Sequence, residues 1–512
     1  MNSEAHTAAS PGSVRGWPPQ VKYIVGNEAC ERFSFYGMKG ILVGYMTGEI
    51  LKGGLDMSDD KATSIFHLFV FANYFTPLIG AWLSDKIFGR YGTILWVSLF
   101  YCLGHGVLAM SDLFTSVAGK FNLLCVGLTL IAFGAGGIKP CVSAFMGDQF
   151  RSDQSHLLQK AYGAFYWSIN FGSFFSFIVI PRIRDAHGYG WAFGVPGILM
   201  GIATIIFWLG RKHYVRIEPV GDPEWRKKVC WMIGSVLAAA GIWYMQMKFQ
   251  IPGRWLLAGL AVIGFVMLAA FTVRLHRRID ASAEKRDASA YVVWWYSLTC
   301  PIIGKPGPLW NAATQRFTPK AFDHGVSMGR ILSIFALIPA FWALFDQSHS
   351  TWVLQGKQMA TIPLTGFWEN AFGWFFGKQI NAENMQSTNP VLVMILVPLF
   401  TLGIYPWLGK RVTPLRRMGC GMFFAVAAFV IVGWLQQRIE AGEQLSVAWQ
   451  VLPYIFLTAG EVLISATGLE FAFTQAAPEM KSTIMSFWLI TVALGNALVS
   501  IDLATHEVRQ TL

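Results

Sequence analysis

The chain has 512 residues, 54% of them hydrophobic and only 13% charged, where a soluble protein is about 25% charged. Its 40 Lys+Arg against 29 Asp+Glu give a net charge of +11. These figures exclude a soluble globular enzyme, a disordered chain and a disulfide-rich secreted module, and the 21 Trp and 40 Phe suit lipid-facing and interfacial surface. The basic excess fits a positive-inside membrane protein, so no nucleic-acid partner is expected.

The first twenty residues hold no apolar core of a cleavable signal, so the first membrane helix is expected to target the chain. At about 20 apolar residues per crossing, spans are predicted near 21–50, 61–83, 91–111, 122–147, 157–181 and 191–210. Two more follow near 229–247 and 254–275, then 326–348, 388–408, 412–436, 448–472 and 481–503. The polar stretch 276–324 reads as turns and a surface helix, and 349–387 as a loop carrying an interfacial helix, TGFWENAFGWFFGKQI. Most Lys and Arg fall in loops on the side of the N-terminus, which predicts a cytoplasmic N-terminus. The odd number of spans then leaves the C-terminus outside. The 7 cysteines form no CxxC pair and read as small buried side chains, with no metal or other cofactor expected.

Ionisable groups inside apolar spans carry the most information, because each costs about 2.5–3.5 kcal/mol to insert and is therefore usually paired or turned toward a cavity. In NEACERFSFYGMKG, Glu28, Arg32, Phe35 and Lys39 fall on one line of a helix at the 3.6-residue period, flanked by Glu31 and Tyr36. Carboxylates beside cations suit proton coupling, since a conformational change can trade ion pairing against desolvation. Lys139 lies inside the fourth span and calls for a carboxylate partner. Asp346 ends the apolar run FALIPAFWALFDQ, and Glu461 sits mid-span with Thr458, Ser465 and Gly468 on its face. His67 could relay protons or be a satisfied core histidine. Tyr74, Asn170, Asn389, Trp342 and Trp488 read either as ligand contacts or as interhelical packing. HExxH, GxSxG and Walker-type GxxxxGK[ST] patterns do not occur, so neither an enzyme nor a self-contained ATP-driven pump is expected, and transport would draw on an ion gradient.

Several of these segments resemble signatures of a known family. GAWLSDKIFGRYGTIL at 80–95 resembles the loop between helices two and three of the major facilitator superfamily. NEACERFSFYG resembles the ExxER motif of proton-coupled oligopeptide transporters, and GGIKPCVSAFMGDQF, FYWSINFGS, FWALFDQ and EVLISATGLEFAFTQAAPEMKS resemble further signatures of that family in order. The resemblance implies an all-α polytopic membrane protein with a major facilitator fold: two helical bundles plus, at 229–275, the inserted helix pair of bacterial members. The family has twelve core helices, and the span count without the inserted pair gives eleven, so the twelfth core helix is expected to be missing. The corresponding division is an N-terminal six-helix bundle at 1–210, the inserted pair and cytoplasmic linker at 211–324, and a C-terminal bundle of five recognisable helices at 325–512.

The resemblance also implies roles. Glu28, Glu31 and Arg32 match the proton-coupling motif, and Lys139 matches the lysine that pairs with it. Lys39 stands at the position, usually Arg, that meets the peptide carboxylate, and Asp346 matches the acidic group that works with it in gating and proton coupling. Glu461 matches the carboxylate that receives the peptide's amino terminus. Asn170 and Asn389 match amides contacting the peptide backbone, and Tyr36, Tyr74, Trp342 and Trp488 match pocket aromatics. His67 matches a histidine of animal and some bacterial members. Phe35 replaces the usual first tyrosine of a YY pair, and Lys39 gives a point charge instead of a bidentate fork.

The expected function is proton-coupled symport of di- and tripeptides into the cell across a bacterial inner membrane, by a monomer embedded in lipid. Two alternatives are the same fold carrying nitrate or another small solute, and a non-transporting, truncated peptide-binding form. The charges at issue balance once one proton is bound: Glu28, Glu31, Asp346 and Glu461 against Arg32, Lys39 and Lys139.

Overall fold

The computed structural model describes residues 17–151, 154–219, 224, 227, 253–281, 284–302, 310–409, 413–475 and 481–510. The first half runs α1 (Val21–Thr47), α2 (Asp59–Phe75), α3 (Pro77–Leu83), α4 (Gly89–Ala109), α5 (Val117–Asp148), α6 (Ser155–His187) and α7 (Tyr189–Leu209). The middle holds α8 (Gly253–Asp280), α9 (Ala290–Thr299) and α10 (Asn311–Arg316). Then follow α11 (Pro319–Phe335), α12 (Ile338–Phe345), α13 (Thr351–Lys357), α14 (Phe367–Phe376), α15 (Thr388–Pro398), α16 (Tyr405–Leu408), α17 (Pro414–Glu440), α18 (Val451–Gln475) and α19 (Lys481–Gln510). A two-residue antiparallel hairpin, β1 (Ile362–Pro363) on β2 (Gln379–Ile380), brackets α14.

Helix starts follow local chemistry. Ser58 caps α2 by accepting from the Lys61 amide, with Asp59 and Asp60 in the first turn where the helix dipole favours anions. Thr318 and Thr413 cap α11 and α17 in the same way, each followed by a proline at the first helical position. Among the described residues, eight helical stretches are long and apolar enough to cross a membrane. The stretch Asp59–Leu113 spans 55 residues, about 80 Å at 1.5 Å per residue, enough for two crossings. It folds back through a π-helical turn at Ser84–Phe88 and Gly89, whose φ of +68° suits a residue without Cβ. The 27 residues of α1 also reach across, at about 40 Å, although their charges interrupt its apolar run. The chain is an all-α polytopic membrane protein.

The boundaries differ from expectation in instructive places. The span predicted at 61–83 is broken at Thr76, because Pro77 has no N–H for the carbonyl of Asn73; Thr76 Oγ1 turns to the Ala72 and Ala132 carbonyls instead, at 2.8 Å each. The span at 326–348 begins earlier, at Pro319, and is broken between Phe335 and Ile338, with Pro339 in the first turn after the break. Among its described residues the 276–324 stretch holds the end of α8, the short helices α9 and α10 and the start of α11, and the aromatic segment does form α14. The predicted span 229–247 lies outside the described residues, as does Cys230.

One hydrophobic core is built from buried residues between Val21 and Tyr214 with Leu354 added, and a second from Ala290 and residues between Met328 and Val492. Tyr74 packs against both. Within the first half, α1 lies against α6 and α7, and α5 against α4 and α3; within the second, α17 lies on α18 and α12 on α19. Two seams join the halves, α2 against α19 and α6 against α15. At the α3–α5 crossing the backbones touch: a Cβ on Gly80 would stand 2.5 Å from Gly137 Cα.

Candidate functional site between the two halves

The stripe on α1 is a set of ion pairs. Arg32 Nε donates to Glu28 Oε1 at 2.6 Å and lies 3.2 Å from Glu31 Oε2, with both glutamates fully buried. Two turns further along, Lys39 Nζ meets Asp346 Oδ1 at 2.8 Å, joining α1 to the turn after α12 across the two halves. Both partners are buried, so each depends on the other for compensation of its desolvation.

Lys139 departs from expectation. No acidic partner lies within ion-pair distance of it among the described residues; its Nζ sits 4.0 Å from the centre of the Phe35 ring and 4.5 Å from that of Tyr74. The physical reason lies on α1: Arg32, one turn from Glu28 and next in sequence to Glu31, engages both glutamates, leaving Lys139 to aromatic faces that attract a cation through their quadrupoles. Phe35, the missing tyrosine of the pair, is therefore a cation platform.

The second half supplies the opposite charge. Asn389 Nδ2 on α15 donates to Glu461 Oε2 on α18 at 2.8 Å and lies 3.1 Å from Thr458 Oγ1. Trp342 and Trp488 stand edge to face with centroids 6.4 Å apart, and among the described residues the buried Trp342 Nε1 has no hydrogen-bond partner. On the facing half, Tyr36 packs edge-on to Phe35 and Phe177. Asn170 differs from its neighbours here: its amide donates to the Tyr166 carbonyl of its own helix at 3.0 Å, so in this conformation it serves α6.

His67 is fully buried between the halves, with Nδ1 2.7 Å from Asn496 Oδ1 on α19 and Nε2 3.0 Å from Ser350 Oγ. Asn496 Nδ2 in turn donates to Asp346 Oδ2 at 2.8 Å. Sequence reasoning passed over Asn496, although a polar side chain in the run VALGNALVS is the kind of signal that singled out Glu461. It also passed over Arg184, which meets Glu383 at 2.6 Å, and over Gln386, which bonds the Gly40 carbonyl at 2.9 Å and His349 Nδ1 at 2.8 Å. Among the described residues, side-chain bonds crossing between the halves run from residues 39–47, 64–67 and 177–184 to 346–357, 383–386 and 496–500. All lie at the end of the molecule where α1 finishes and α2 begins. No group of three His, Cys, Asp or Glu among the described residues could hold a metal.

A family model described as "PTR2: POT family" matches residues 91–511. The chain belongs to the POT family. It is 35% identical over 437 residues to "Peptide transporter 3" of Caenorhabditis elegans, covering 83% of this chain and 52% of that protein. Against "Solute carrier family 15 member 1" of Homo sapiens it is 31% identical over 450 residues, covering 84% and 53%. The chain thus spans about half the length of the curated relatives it matches. Among solved structures, an auto-inhibited POT family peptide transporter superimposes with a TM-score of 0.70 at 41% identity, covering 95% of this chain and 89% of that one. The POT family transporter PepTSo superimposes with a TM-score of 0.73 at 37% identity, covering 97% and 93%. This fit extends POT membership to the region before residue 91, where the α1 stripe lies.

Proposed function

We propose that this POT-family chain imports di- and tripeptides in symport with protons, by alternating exposure of the cleft between its halves. One observation supports the reading: Lys39 and Lys139 stand on one half and Glu461 on the other, with Lys39 and Asp346 within electrostatic reach of Glu461. Lys139, set against the ring faces of Phe35 and Tyr74, and Lys39 can meet a peptide carboxylate, and Glu461, oriented by Asn389, can meet the ammonium. Fixed charges at the two ends set peptide length, while Tyr36, Tyr74, Trp342 and Trp488 tolerate varied side chains. Glu28, Glu31, Arg32, Asp346 and His67 are the proposed proton-coupling groups, since breaking any of these ion pairs or hydrogen bonds changes the protonation its members favour. "Peptide transporter 3" and the auto-inhibited POT family peptide transporter are named for peptides, which turns the reading away from nitrate.

In this reading the chain lies in a bacterial inner membrane as a monomer, N-terminus in the cytoplasm. The division at 1–210, 211–324 and 325–512 follows. The end closed by Lys39–Asp346 and Arg184–Glu383 is then the outer one, and the conformation faces inward. A peptide touching both halves would favour the occluded state. The test is dialanine uptake into proteoliposomes: accumulation should follow an inward proton gradient and collapse with a protonophore. Uptake indifferent to the protonophore would sink proton coupling, and no uptake or binding of any dipeptide would sink the substrate class.

A further inference from the structure

We infer that Asn496 is a positioning residue that fixes His67 in one neutral tautomer, protonated at Nδ1, and so makes Nε2, facing Ser350, the atom that receives a proton. The inference rests on the reading of the chain as a proton-coupled carrier and names a regulating contact within that site.

Asn496 is fully buried, and its Nδ2 lies 2.8 Å from Asp346 Oδ2 and 3.0 Å from the Val492 carbonyl. Both of those oxygens can only accept, Asp346 being ion-paired to Lys39, so both amide hydrogens are used and the amide cannot be turned over. Turning it would set Oδ1 against a carboxylate and a carbonyl at once. Oδ1 therefore faces His67 Nδ1 at 2.7 Å as an acceptor, and Nδ1 must carry the hydrogen. The neutral ring then has its lone pair on Nε2, 3.0 Å from Ser350 Oγ, and the serine hydroxyl donates. A proton arriving at Nε2 turns that atom into a donor, and the Ser350 hydroxyl must reverse and find a new acceptor.

Three elements meet at this point: α2 through His67, α19 through Asn496, and the turn 346–350 through Asp346 and Ser350. The charged and titratable groups facing His67 from them and from α1 are Asp346, Lys39 and His349. One antiparallel step along the same seam, Ser64 Oγ lies 3.2 Å from Ser500 Oγ, so the His67–Asn496 bond belongs to a polar ladder holding α2 against α19. Without the amide, His67 and Asp346 are two separate buried groups. With it, the carboxylate that closes the Lys39 pair also fixes the imidazole that titrates beside Ser350.

The test uses the full chain in lipid bilayers, labelled with 15N-histidine, with the His67 signals assigned by their loss in His67→Gln. At neutral pH the wild-type His67 should show a protonated Nδ1 and a bare Nε2; the reverse tautomer overturns the inference without needing any variant to fold. Asn496→Leu should give mixed tautomers, displace the pH profile of dialanine uptake and lower gradient-driven accumulation about tenfold, the loss of a hydrogen bond to a charged group. Asn496→Asp, whose protonated carboxyl keeps one donor for Asp346 and an acceptor for His67 Nδ1 while losing the donation to the Val492 carbonyl, should recover part of the accumulation at acidic pH. A wild-type spectrum and pH profile in Asn496→Leu also overturns the inference. A correct tautomer in a chain that accumulates no peptide would refute the transport reading and leave the positioning role standing, whereas proton-driven uptake with hydrogen on Nε2 does the opposite.

Discussion

The amino-terminal role proposed for Glu461 can be separated from general damage to the site. Glu461→Gln keeps the contact with Asn389 Nδ2 but removes the charge. Dialanine affinity should fall about tenfold or more, the 1.5–3 kcal/mol of a hydrogen bond to a charged group, while N-acetylated dialanine should change little. Equal losses for both ligands in a competition assay would remove Glu461 from that role. Lys39 poses the complementary case. Lys39→Met strands Asp346 in the seam and should cost about 3–5 kcal/mol of stability, read as a lowered Tm in detergent, and adding Asp346→Asn should recover most of it; no recovery would mean the pair is not coupled. At this scale the sequence was legible wherever a full charge stood in an apolar run, because insertion is too costly to be casual. Glu28, Arg32, Lys39, Lys139 and Glu461 all announce themselves in that way. Partners were less legible. Lys39 finds Asp346 307 positions away, and Lys139 turned out to sit on rings, since nothing in its own segment records that Arg32 takes both glutamates. Amides such as Asn496 and Gln386 stayed hidden because an amide in a membrane helix also serves simple packing.

Helix breaks and close crossings belong to the next scale. The α3–α5 crossing depends on Gly80, Gly136 and Gly137: an added Cβ at Gly80 would meet backbone atoms of Gly137 and Gly136 at 2.5 and 2.9 Å. Gly80→Ala should therefore lower stability by about 1–3 kcal/mol, whereas Gly201→Ala, with nothing within 4 Å, should leave Tm nearly unchanged. Equal Tm values for the two variants would show that the crossing relaxes freely. Hydropathy located these helices well and their interruptions poorly. A proline marks both breaks, at Pro77 and Pro339, yet Pro140, Pro181 and Pro196 sit inside unbroken helices. Proline alone does not say whether neighbouring groups will satisfy the carbonyl it frees.

For the whole molecule, the cross-links between halves gather at one end. Ser64→Cys with Ser500→Cys, at a pair whose Oγ atoms are 3.2 Å apart, should form a disulfide on oxidation in a background freed of native cysteines. Dialanine uptake should then stop and return on reduction. Uptake that survives a quantitative disulfide would mean the α2–α19 seam does not open during transport. The two-part organisation was legible through the family signatures, but which end is shut was not, because it depends on pairings such as Arg184–Glu383 between residues 199 positions apart.

The interruptions after Phe75 and Phe335 have a mechanical consequence. Tyr74 and Trp342 each lie within a few residues of a break, so the site is flanked by two swivels, one in each half. A rigid rod transmits any displacement at one tip to the other, and a jointed rod does not. The segments of α2–α3 and α11–α12 away from the clasped end can therefore bend toward a bound molecule while the tips at that end remain clasped. In the proposed carrier, sealing one entrance would then not await release of the other, and a stage with both shut would be a low-strain stopping point rather than a fleeting passage.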